Sequence, residues 1–312
     1  MPREKLVTFI IPTLNEEFNV ISAIHSIENT MRSSAYEVIV CDNGSQDKTR
    51  IVSEGLGARV FVDRNATIAG LRNFGVKHSS GQILVFIDAD VTLNDDWYKN
   101  LESNVLPSLK SKDFITGSSC LTPLRSNFFE KNWFSKLGKS QTNYINSGHL
   151  IISRPSFDKL KGFDETLRTS EDYDLCQRAQ LLGIQVVKSD ALKAYHHGYP
   201  QKAIDFMARE AWHGSEDMLT IQKLLNSKTA LSALFNVGLI AAGIVLLFTT
   251  GHQLYLIATI SMSILICAAI SFIKFGRSIK GSLIGTTICC ELYLLGRAGS
   301  IFTRHKRPRA RS

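Results

Sequence analysis

Charged residues are missing from one long part of this chain. No Asp, Glu, Lys or Arg occurs between Thr229 and Ile273, and only Gly251-His252-Gln253 interrupts the apolar run. Each half has about 20 residues, enough for a helix to cross a ~30 Å hydrocarbon core. A buried helix of a soluble protein seldom reaches that length twice in succession. The sequence therefore predicts a transmembrane hairpin at 229–273, with spans at about 231–250 and 254–273.

Paired cysteines are also missing. The six cysteines contain no C-x-x-C pair and no spacing typical of a secreted protein. This pattern excludes a secreted domain held by disulfides and predicts reduced thiols. The chain also has no internal repeat and no low-complexity linker.

The positive charge is confined to one end of the chain. The net charge is +8, and it arises entirely after residue 273, where nine basic residues stand against Glu291 alone. These nine are Lys274, Arg277, Lys280, Arg297, Arg304, Lys306, Arg307, Arg309 and Arg311. Basic residues beside membrane segments attract lipid headgroups, so the charge gives no support to nucleic-acid binding. By the positive-inside rule, the loop Lys274–Lys280 and the tail Arg304–Arg311 should face the cytoplasm of an inner membrane.

The segment Ser282–Phe302 lies between these two basic stretches. Both can face the cytoplasm only if this segment does not cross the bilayer. Glu291 and Arg297 would be costly at mid-membrane, and four glycines weaken an isolated helix. For residues 274–312 we expect an interfacial or re-entrant helix and a basic cytoplasmic tail, with a third membrane segment as the alternative.

A second amphipathic segment runs from Asn127 to Lys139. Phe129, Trp133, Phe134 and Leu137 form one apolar face beside several lysines. That pattern is typical of a lid lying at a lipid surface, and equally of an ordinary helix facing a protein core.

Strands and helices alternate in the first 90 residues. Apolar strands are predicted at Lys5–Pro12, Glu37–Cys41, Arg59–Val62 and 83–87, and a helix at 67–78. Four such alternations predict an α/β fold with a doubly wound parallel sheet.

The last of these strands ends on two carboxylates. Ile-Leu-Val-Phe-Ile is typical of a strand buried on both faces, and Asp88 and Asp90 follow it directly. Ligands of open α/β sheets bind at the carboxyl ends of strands. Because alternate residues of a strand point the same way, the two acids could share one hard cation, which would neutralise phosphates.

The loops carry a set of short motifs. They read Ile-Pro-Thr-Leu-Asn-Glu-Glu at 11–17, Val-Cys-Asp-Asn-Gly-Ser-Gln-Asp-Lys-Thr at 40–49, Gly-Leu-Arg-Asn-Phe-Gly-Val at 70–76, Phe-Ile-Asp-Ala-Asp at 86–90, Gly-Phe-Asp-Glu at 162–165 and Ser-Glu-Asp-Tyr-Asp-Leu at 170–175, before Arg178. In this order and spacing, residues 6–200 resemble a family-2 glycosyltransferase of the GT-A fold. The resemblance implies a Rossmann-like, mostly parallel sheet with flanking helices in a catalytic domain at 1–226.

The resemblance also implies where a nucleotide-sugar binds. The matching positions are Pro12, Thr13, Asn15, Glu17, Asp42, Gly44, Arg72 and Asp88. Asp42 can accept hydrogen bonds from a base or ribose, and the Arg72 guanidinium suits a diphosphate. Asp90, Asp88 and His196 match the ligands of Mg²⁺ or Mn²⁺; His197 points the opposite way on an extended segment.

The acceptor side centres on a pair of acids. By the resemblance, Asp172 is the catalytic base and Glu171 orients the site or raises the pKa of Asp172 by repulsion. A helix N-cap at Ser170 or Glu171 is the purely structural alternative. Arg209, Trp212 and His213 are further candidates for contact with the leaving group or acceptor.

The resemblance implies a metal-dependent, inverting transferase. It would move a sugar from a UDP- or GDP-sugar to a lipid-linked or cell-surface glycan acceptor, in cell-envelope polysaccharide biosynthesis. The Gln-x-x-Arg-Trp motif of processive synthases is absent. Alternatives are a polyprenyl-phosphate glycosyltransferase and a catalytically silent, membrane-anchored nucleotide-binding scaffold. We expect a fragment ending near Asn226 to be soluble.

Overall fold

The computed structural model describes residues 7–32, 34–123, 126–137, 144–167, 169–276 and 282–302. These residues form two compact units. The first unit contains the described residues up to Pro123 and from 144 to Gly198. The second unit contains 126–137 and the described residues from Tyr199 to 302.

The elements follow one another in a mixed α/β order before a helical end. In chain order they are β1 (Val7–Thr13), α1 (Asn19–Met31), β2 (Tyr36–Asp42), α2 (Thr49–Gly55), β3 (Arg59–Val62), α3 (Ile68–Lys77), β4 (Ile83–Ile87), β5 (Val91–Leu93), α4 (Trp97–Asn100), α5 (Leu106–Ser108), β6 (Phe114–Gly117), α6 (Ser135–Leu137), β7 (His149–Ser153), α7 (Arg154–Lys159), α8 (Glu171–Leu181), β8 (Gln185–Lys188), β9 (Ala194–His196), α9 (Ala203–His213), α10 (Ile221–Asn226), α11 (Lys228–Thr250), α12 (Gln253–Phe275) and α13 (Leu283–Gly299). Short π-helical turns at Leu101–Val105 and Glu130–Phe134 adjoin α5 and α6.

A seven-stranded sheet forms the centre of the first unit. Its strand order is β3-β2-β1-β4-β7-β6-β8. The strands β3, β2, β1 and β4 are parallel, and β7 runs antiparallel to both of its neighbours. β1 and β4 are buried along their whole length, because helices cover both faces of a parallel sheet. The predicted alternation of strands and helices is confirmed.

Two apolar clusters pack against the opposite faces of this sheet. Phe9, Val85 and Trp97 lie in one cluster, and Ile10 and Phe86 lie in the other. Side chains at odd and even positions of β1 and β4 therefore enter different cores, as the period of a strand requires.

A small second sheet lies beside the end of β4. β5 pairs antiparallel with β9, and Val91 is opposite His196. This pairing places the Asp88–Asp90 turn next to the histidine segment, although about a hundred residues separate them in the sequence.

The second unit contains two long apolar helices. α11 and α12 have 23 residues each, and only 17 % of the most apolar window of each is buried. Among the described residues, these two helices alone are long and apolar enough to cross a membrane. A helix in a soluble core would be mostly covered, so the exposed apolar surface agrees with the predicted hairpin, and crossing itself stays a prediction.

The segment 126–137 packs inside the second unit. Phe129, Trp133 and Phe134 are almost fully buried in a cluster with Phe206 of α9 and Leu294 of α13. The core-facing alternative is therefore correct, and the prediction of a lid at the lipid surface is wrong for these residues. Their apolar face is already covered by protein.

Residues 199–226 also belong to this unit, whereas the sequence assigned them to the catalytic domain. The reason lies in α9, which buries Phe206 and Ala211 in the second unit. α13 has 17 residues and packs along α9, α11 and α12.

Candidate active site

The first two loops at the carboxyl edge of the sheet are joined through Asp42. Its carboxylate is fully buried and accepts hydrogen bonds from the amides of Gly44 (3.0 Å) and Ser45 (2.8 Å). The hydroxyls of Thr13 (3.1 Å) and Ser45 also donate to it. A carboxylate has about four acceptor positions, so direct contact with a nucleoside would require one donor to move. Gly44 adopts φ +86°, which suits a glycine at this turn.

Asn15 and Glu17 fasten the same loops from the other side. The Asn15 side chain accepts from the amide of Gln46 (2.8 Å), and the Glu17 carboxylate accepts from the amide of Lys48 (2.9 Å). Asn15 itself has φ +56°, an uncommon conformation for a residue with a side chain. The donor-side residues predicted from sequence, with Pro12 at the end of β1, thus lie together on one edge of the sheet.

Asp88 and Asp90 follow β4 in a tight turn and are partly accessible. Their side chains are 35 % and 20 % exposed. A glycine lies against each carboxylate. A Cβ on Gly148 would lie 2.9 Å from Asp88 Oδ2, and a Cβ on Gly198 would lie 1.7 Å from Asp90 Oδ2. Only residues without side chains leave the two acids in these positions.

One of the two histidines faces Asp90. His196 Nε2 is 3.5 Å from Asp90 Oδ2. His197 points away, and its Nε2 lies 2.9 Å from the hydroxyl of Thr92. This opposite orientation was predicted from the extended backbone, and it leaves His196 as the histidine beside the acids.

The donor set fits a cation that is completed by its substrate. Among the described residues, no group of three His, Cys, Asp or Glu side chains is arranged as a ready metal site. Mg²⁺ characteristically takes one or two carboxylates and the oxygens of a substrate phosphate, and Asp88 and Asp90 suit that role. The Cys120 thiol lies close enough that, after burial, the charges of Asp88 and Asp90 raise its pKa. It is therefore a neutral thiol.

Arg72 of α3 lies between two acids. It is 2 % exposed, its Nη2 is 2.8 Å from Asp88 Oδ1, and its Nη1 is 2.7 Å from Glu171 Oε1. Its Nε has no hydrogen-bond partner in the described part of the chain. A contact with a diphosphate through the terminal nitrogens, as the resemblance implies, would compete with these carboxylates.

Asp172 is buried at the start of α8. Its Oδ2 accepts from the amide of Ser147 at 3.1 Å, and its Oδ1 accepts from the amide of Tyr173 at 2.7 Å. Burial, followed by the charge of Glu171, raises the pKa of Asp172 to about 7, against the lowering effects of these amides and of Arg72. A base with a pKa near the working pH is the most effective for proton transfer.

Helix capping does not account for these acids. Ser170 is the residue before α8, but its backbone is left-handed (φ 66°) and its side chain makes no capping hydrogen bond. Such a conformation costs about 1–3 kcal/mol and tends to occur at functional sites.

Arg209, Trp212 and His213 all lie on α9 of the second unit. Arg209 Nη1 is 2.9 Å from Glu210 Oε1, and its guanidinium lies 4.8 Å from the ring centre of Phe134. These contacts are local to that unit, so a role in the reaction stays a prediction.

Sequence reasoning missed three small residues. Ser147, Gly148 and Gly198 each contact a catalytic candidate. The signal for the first two was Asn146-Ser147-Gly148, a turn motif just before β7, and for the third the glycine after His196-His197.

A family comparison agrees with this site. Residues 8–105 match the sequence profile described as glycosyl transferase family 2. With the sheet described above, the match shows that the chain carries a family-2 glycosyltransferase domain of the GT-A fold, as predicted. The match covers the donor-side loops, Arg72 and both acids of the Asp88–Asp90 turn.

Individual relatives are glycosyltransferases as well. The amylovoran biosynthesis glycosyltransferase AmsB of Erwinia amylovora is 24 % identical over 211 residues, which is 60 % of this chain and 68 % of the relative. The UDP-Glc:alpha-D-GlcNAc-diphosphoundecaprenol beta-1,3-glucosyltransferase WfgD of Escherichia coli is 33 % identical over 119 residues, 36 % of this chain and 45 % of the relative. The chain spans about half the length of most curated relatives it matches, so its whole activity does not follow from them.

A solved structure shares the fold over nearly the whole chain. The mannosyltransferase PcManGT from Pyrobaculum calidifontis, in complex with GDP-Man and Mn²⁺, superposes with a TM-score of 0.60 over 97 % of this chain and 88 % of its own. At 16 % identity, this likeness shows a common fold and nothing further.

Proposed function

We propose that this protein is a metal-dependent, inverting glycosyltransferase that moves a sugar from a nucleotide-sugar, a UDP- or GDP-sugar, to a membrane-associated glycan acceptor. One observation carries the proposal. Asp172 is a buried carboxyl with a pKa raised to about 7, in the same unit as the Asp88–Asp90 turn. A protein that only binds nucleotides has no need of such a base.

The residues suggest a single displacement. Asp172 takes the proton of an acceptor hydroxyl, the acceptor oxygen forms a bond to the anomeric carbon, and the bond from that carbon to the diphosphate oxygen breaks. One attack from the face opposite the leaving group inverts the anomeric centre. A Mg²⁺ or Mn²⁺ ion held by Asp90, Asp88 and His196 would stabilise the charge of the departing diphosphate.

The membrane part of the proposal rests on α11 and α12. Their exposed apolar surface supports an anchor, and an inner membrane with the catalytic unit on the cytoplasmic side would bring nucleotide-sugars and lipid-linked acceptors together. The E. coli relative is named for a diphosphoundecaprenol-linked acceptor, which supports an acceptor of that class. The basic residues after α12 would contact anionic lipids.

Two alternatives remain distinct from this proposal. A polyprenyl-phosphate glycosyltransferase has an acceptor that is already ionised and needs little base catalysis, so the buried Asp172 weighs against it. A silent scaffold would need neither Asp172 nor its partner Arg72. Incubating membranes with labelled donor and polyprenyl phosphate separates the first alternative, because only that enzyme would yield a one-sugar lipid phosphate.

The test of the base is Asp172→Asn. We expect transfer to fall by about 10²–10⁴-fold while the Kd of the donor changes little, because a general base contributes to the transition state and not to donor binding. Asp174→Asn on the same helix is the matched control, since Asp174 pairs with Arg178 and lies 30 % exposed. Full transfer by Asp172→Asn would remove this residue from the role of base.

The donor and the cation can be identified by thermal shift. A ligand that binds the native state raises the Tm by mass action. We expect the cognate nucleotide-sugar to raise the Tm with Mn²⁺ or Mg²⁺ present and to lose its effect in chelator. Asp90→Ala should weaken the response, and an unchanged response in chelator would contradict metal dependence.

A further inference from the structure

A single guanidinium joins the two sides of the proposed site. Arg72 contacts Asp88 at 2.8 Å and Glu171 at 2.7 Å. Asp88 ends the strand on the donor side, and Glu171 begins the helix that carries the proposed base. The sequence separation of 99 residues between Arg72 and Glu171 means that only the fold brings them together.

The connection continues through Ser147 to Asp172. The Ser147 hydroxyl donates to Glu171 Oε1 at 3.0 Å, and the Ser147 amide donates to Asp172 Oδ2 at 3.1 Å. One residue therefore holds both acids. The neighbouring residue, Gly148, accepts from the amide of Asp88 at 3.3 Å through its carbonyl, so the same loop also touches the donor side.

The charges around Asp172 come from few groups. Among the described residues, no Lys, Arg or His makes an ion pair with Asp172. The groups that face it are Glu171 on its own helix, Arg72 from α3, the amide of Ser147 from the loop before β7, and the Cys176 thiol one turn along α8. Arg72 is thus the cation whose charge offsets Glu171 beside the base.

We propose that Arg72 is a positioning residue which shares its charge between Asp88 and Glu171, and thereby makes the ionisation of Asp172 depend on whether Asp88 is engaged by the donor and its cation. This inference rests on the proposed function. When a divalent cation neutralises Asp88, the charge of Arg72 is left to Glu171, and the anionic form of Asp172 becomes more favourable. The base is then ready for an acceptor only in a site that already holds its donor.

A different role for Arg72 makes a different prediction. If Arg72 served mainly as a phosphate ligand, its loss would appear as weaker donor binding. If it positions the acids, its loss would appear as a change in the pH dependence of the reaction. Measuring both quantities on the same variants separates the two roles.

The experiment uses the full chain in detergent and four variants. They are Arg72→Lys, Arg72→Gln, the double variant Arg72→Gln with Glu171→Gln, and Arg178→Gln. The pH dependence of kcat/KM and the Kd of the donor are measured for each. Arg178→Gln is the control, because Arg178 lies on α8, pairs with Asp174 and contacts neither Glu171 nor Asp172.

We expect Arg72→Gln to move the acid limb of the kcat/KM profile upward by about one pH unit or more, since a nearby opposite charge lowers the pKa of a carboxyl by about 1–3 units. The added Glu171→Gln should bring the limb back down, because the repelling charge is then gone. Arg72→Lys should lie between wild type and Arg72→Gln. The Kd of the donor should change by less than about threefold in Arg72→Gln, below the tenfold that ~1.4 kcal/mol of lost binding would give.

Two results would overturn the inference. One is an acid limb that stays in place in Arg72→Gln while donor affinity is lost, which would make Arg72 a phosphate ligand. The other is an upward shift that Glu171→Gln fails to reverse, which would mean that Arg72 acts by packing alone. Arg72→Gln leaves buried carboxylates without their cation and may be poorly folded; the double variant removes one of these charges and keeps the test usable.

Failure of the proposed function gives a separate result. If wild type shows neither transfer nor donor hydrolysis with any nucleotide-sugar, the proposed function fails. Proton uptake by Asp172 is then read from the pH dependence of the Tm, as the difference between each background and its Asp172→Asn counterpart. The inference still requires that difference to move upward in pH in Arg72→Gln and back in the double variant.

Discussion

At the scale of single residues, the acids of the site are held by small neighbours. Gly198 lies so close to Asp90 that a Cβ would overlap its Oδ2, and Gly148 lies beside Asp88 in the same way. An acid that must both approach a backbone and remain accessible needs a neighbour without a side chain. The geometry of the Asp88–Asp90 turn therefore depends on residues that carry no chemistry of their own.

Gly198→Ala should displace the Asp90 carboxylate and weaken Mn²⁺ binding. A Cβ at 1.7 Å from Oδ2 cannot be accommodated, and one misplaced ligand or supporting contact typically costs about 10–100-fold in metal affinity. Mn²⁺ affinity in the presence of UDP or GDP can be measured by electron paramagnetic resonance. The control is Gly55→Ala, where a new Cβ would meet nothing within 4 Å. Equal affinity in the two variants would show that Asp90 is not a ligand in this position.

The sequence identified the acids but not what surrounds them. Asp88, Asp90, Glu171 and Asp172 follow motifs at fixed spacing, and their side chains explain why such positions carry chemistry. Ser147 contacts Glu171 and Asp172 only because β7 returns antiparallel beside β4. That contact depends on the tertiary fold, so no local pattern could have placed it.

At the scale of elements, the glycines of α13 permit close packing. We expected them to weaken an isolated helix. In the structure, a Cβ on Gly296 would lie 2.7 Å from the carbonyl oxygen of Met207 on α9, and one on Gly285 would overlap Asn132. Glu291 is also provided for: Asn236, Ser263 and Cys267 each donate to its carboxylate at 2.9 Å. The features that argued against a lone helix are the contacts of a packed one.

Gly296→Ala should destabilise the second unit by about 1–3 kcal/mol, the usual cost of forcing a methyl group into close-packed surroundings. The obstacle is the backbone of α9, which cannot rotate away as a side chain could. Gly238→Ala on α11 is the control, because nothing lies within 4 Å of its new Cβ and alanine favours a helix. Thermal unfolding in detergent compares the two. A Tm for Gly296→Ala at or above that of Gly238→Ala would contradict this packing.

Strongly periodic elements were predictable and ambiguous ones were not. The strands β1 to β4 and the helix α3 lie within two residues of their predicted bounds, because buried apolar runs and turn residues define them locally. The segment Asn127–Lys139 has an apolar face that suits lipid and protein equally. Only its packing against Phe206 and Leu294 decides between them.

At the scale of the whole molecule, the chain does not divide near Asn226. A fragment ending there would keep Phe129, Trp133 and Phe206 but lose the helices α11 to α13 that complete their cluster. We therefore expect fragment 1–226 to aggregate and to bind 1-anilinonaphthalene-8-sulfonate, contrary to the expectation from sequence. Adding Trp133→Gln and Phe206→Gln should reduce both effects. A monomeric fragment with no dye binding in sedimentation and fluorescence measurements would show that this cluster does not need the hairpin.

The dependence of stability on pH combines two buried groups of opposite sign. His149 is buried, with its Nε2 accepting from Trp97 Nε1 at 2.8 Å, and burial lowers its pKa from 6.5 to about 4. Between those values the unfolded chain binds a proton that the folded chain does not, so acidification lowers stability. Asp172 behaves in the opposite way. Its pKa is raised from 3.8 to about 7, so the folded chain holds the extra proton and acidification raises stability.

Because the two windows overlap between pH 6.5 and about 4, these contributions largely cancel in the wild-type protein. Asp172→Asn should expose the histidine alone, and its stability should fall steadily from pH 6.5 to 5, by roughly 2 kcal/mol at ~1.4 kcal/mol per pH unit. His149→Gln should show the reverse trend, although losing the Trp97 contact lowers its stability at every pH. Tm values recorded from pH 5 to 8 for the three proteins test this. Parallel curves would mean that neither group titrates in the folded protein as its surroundings require.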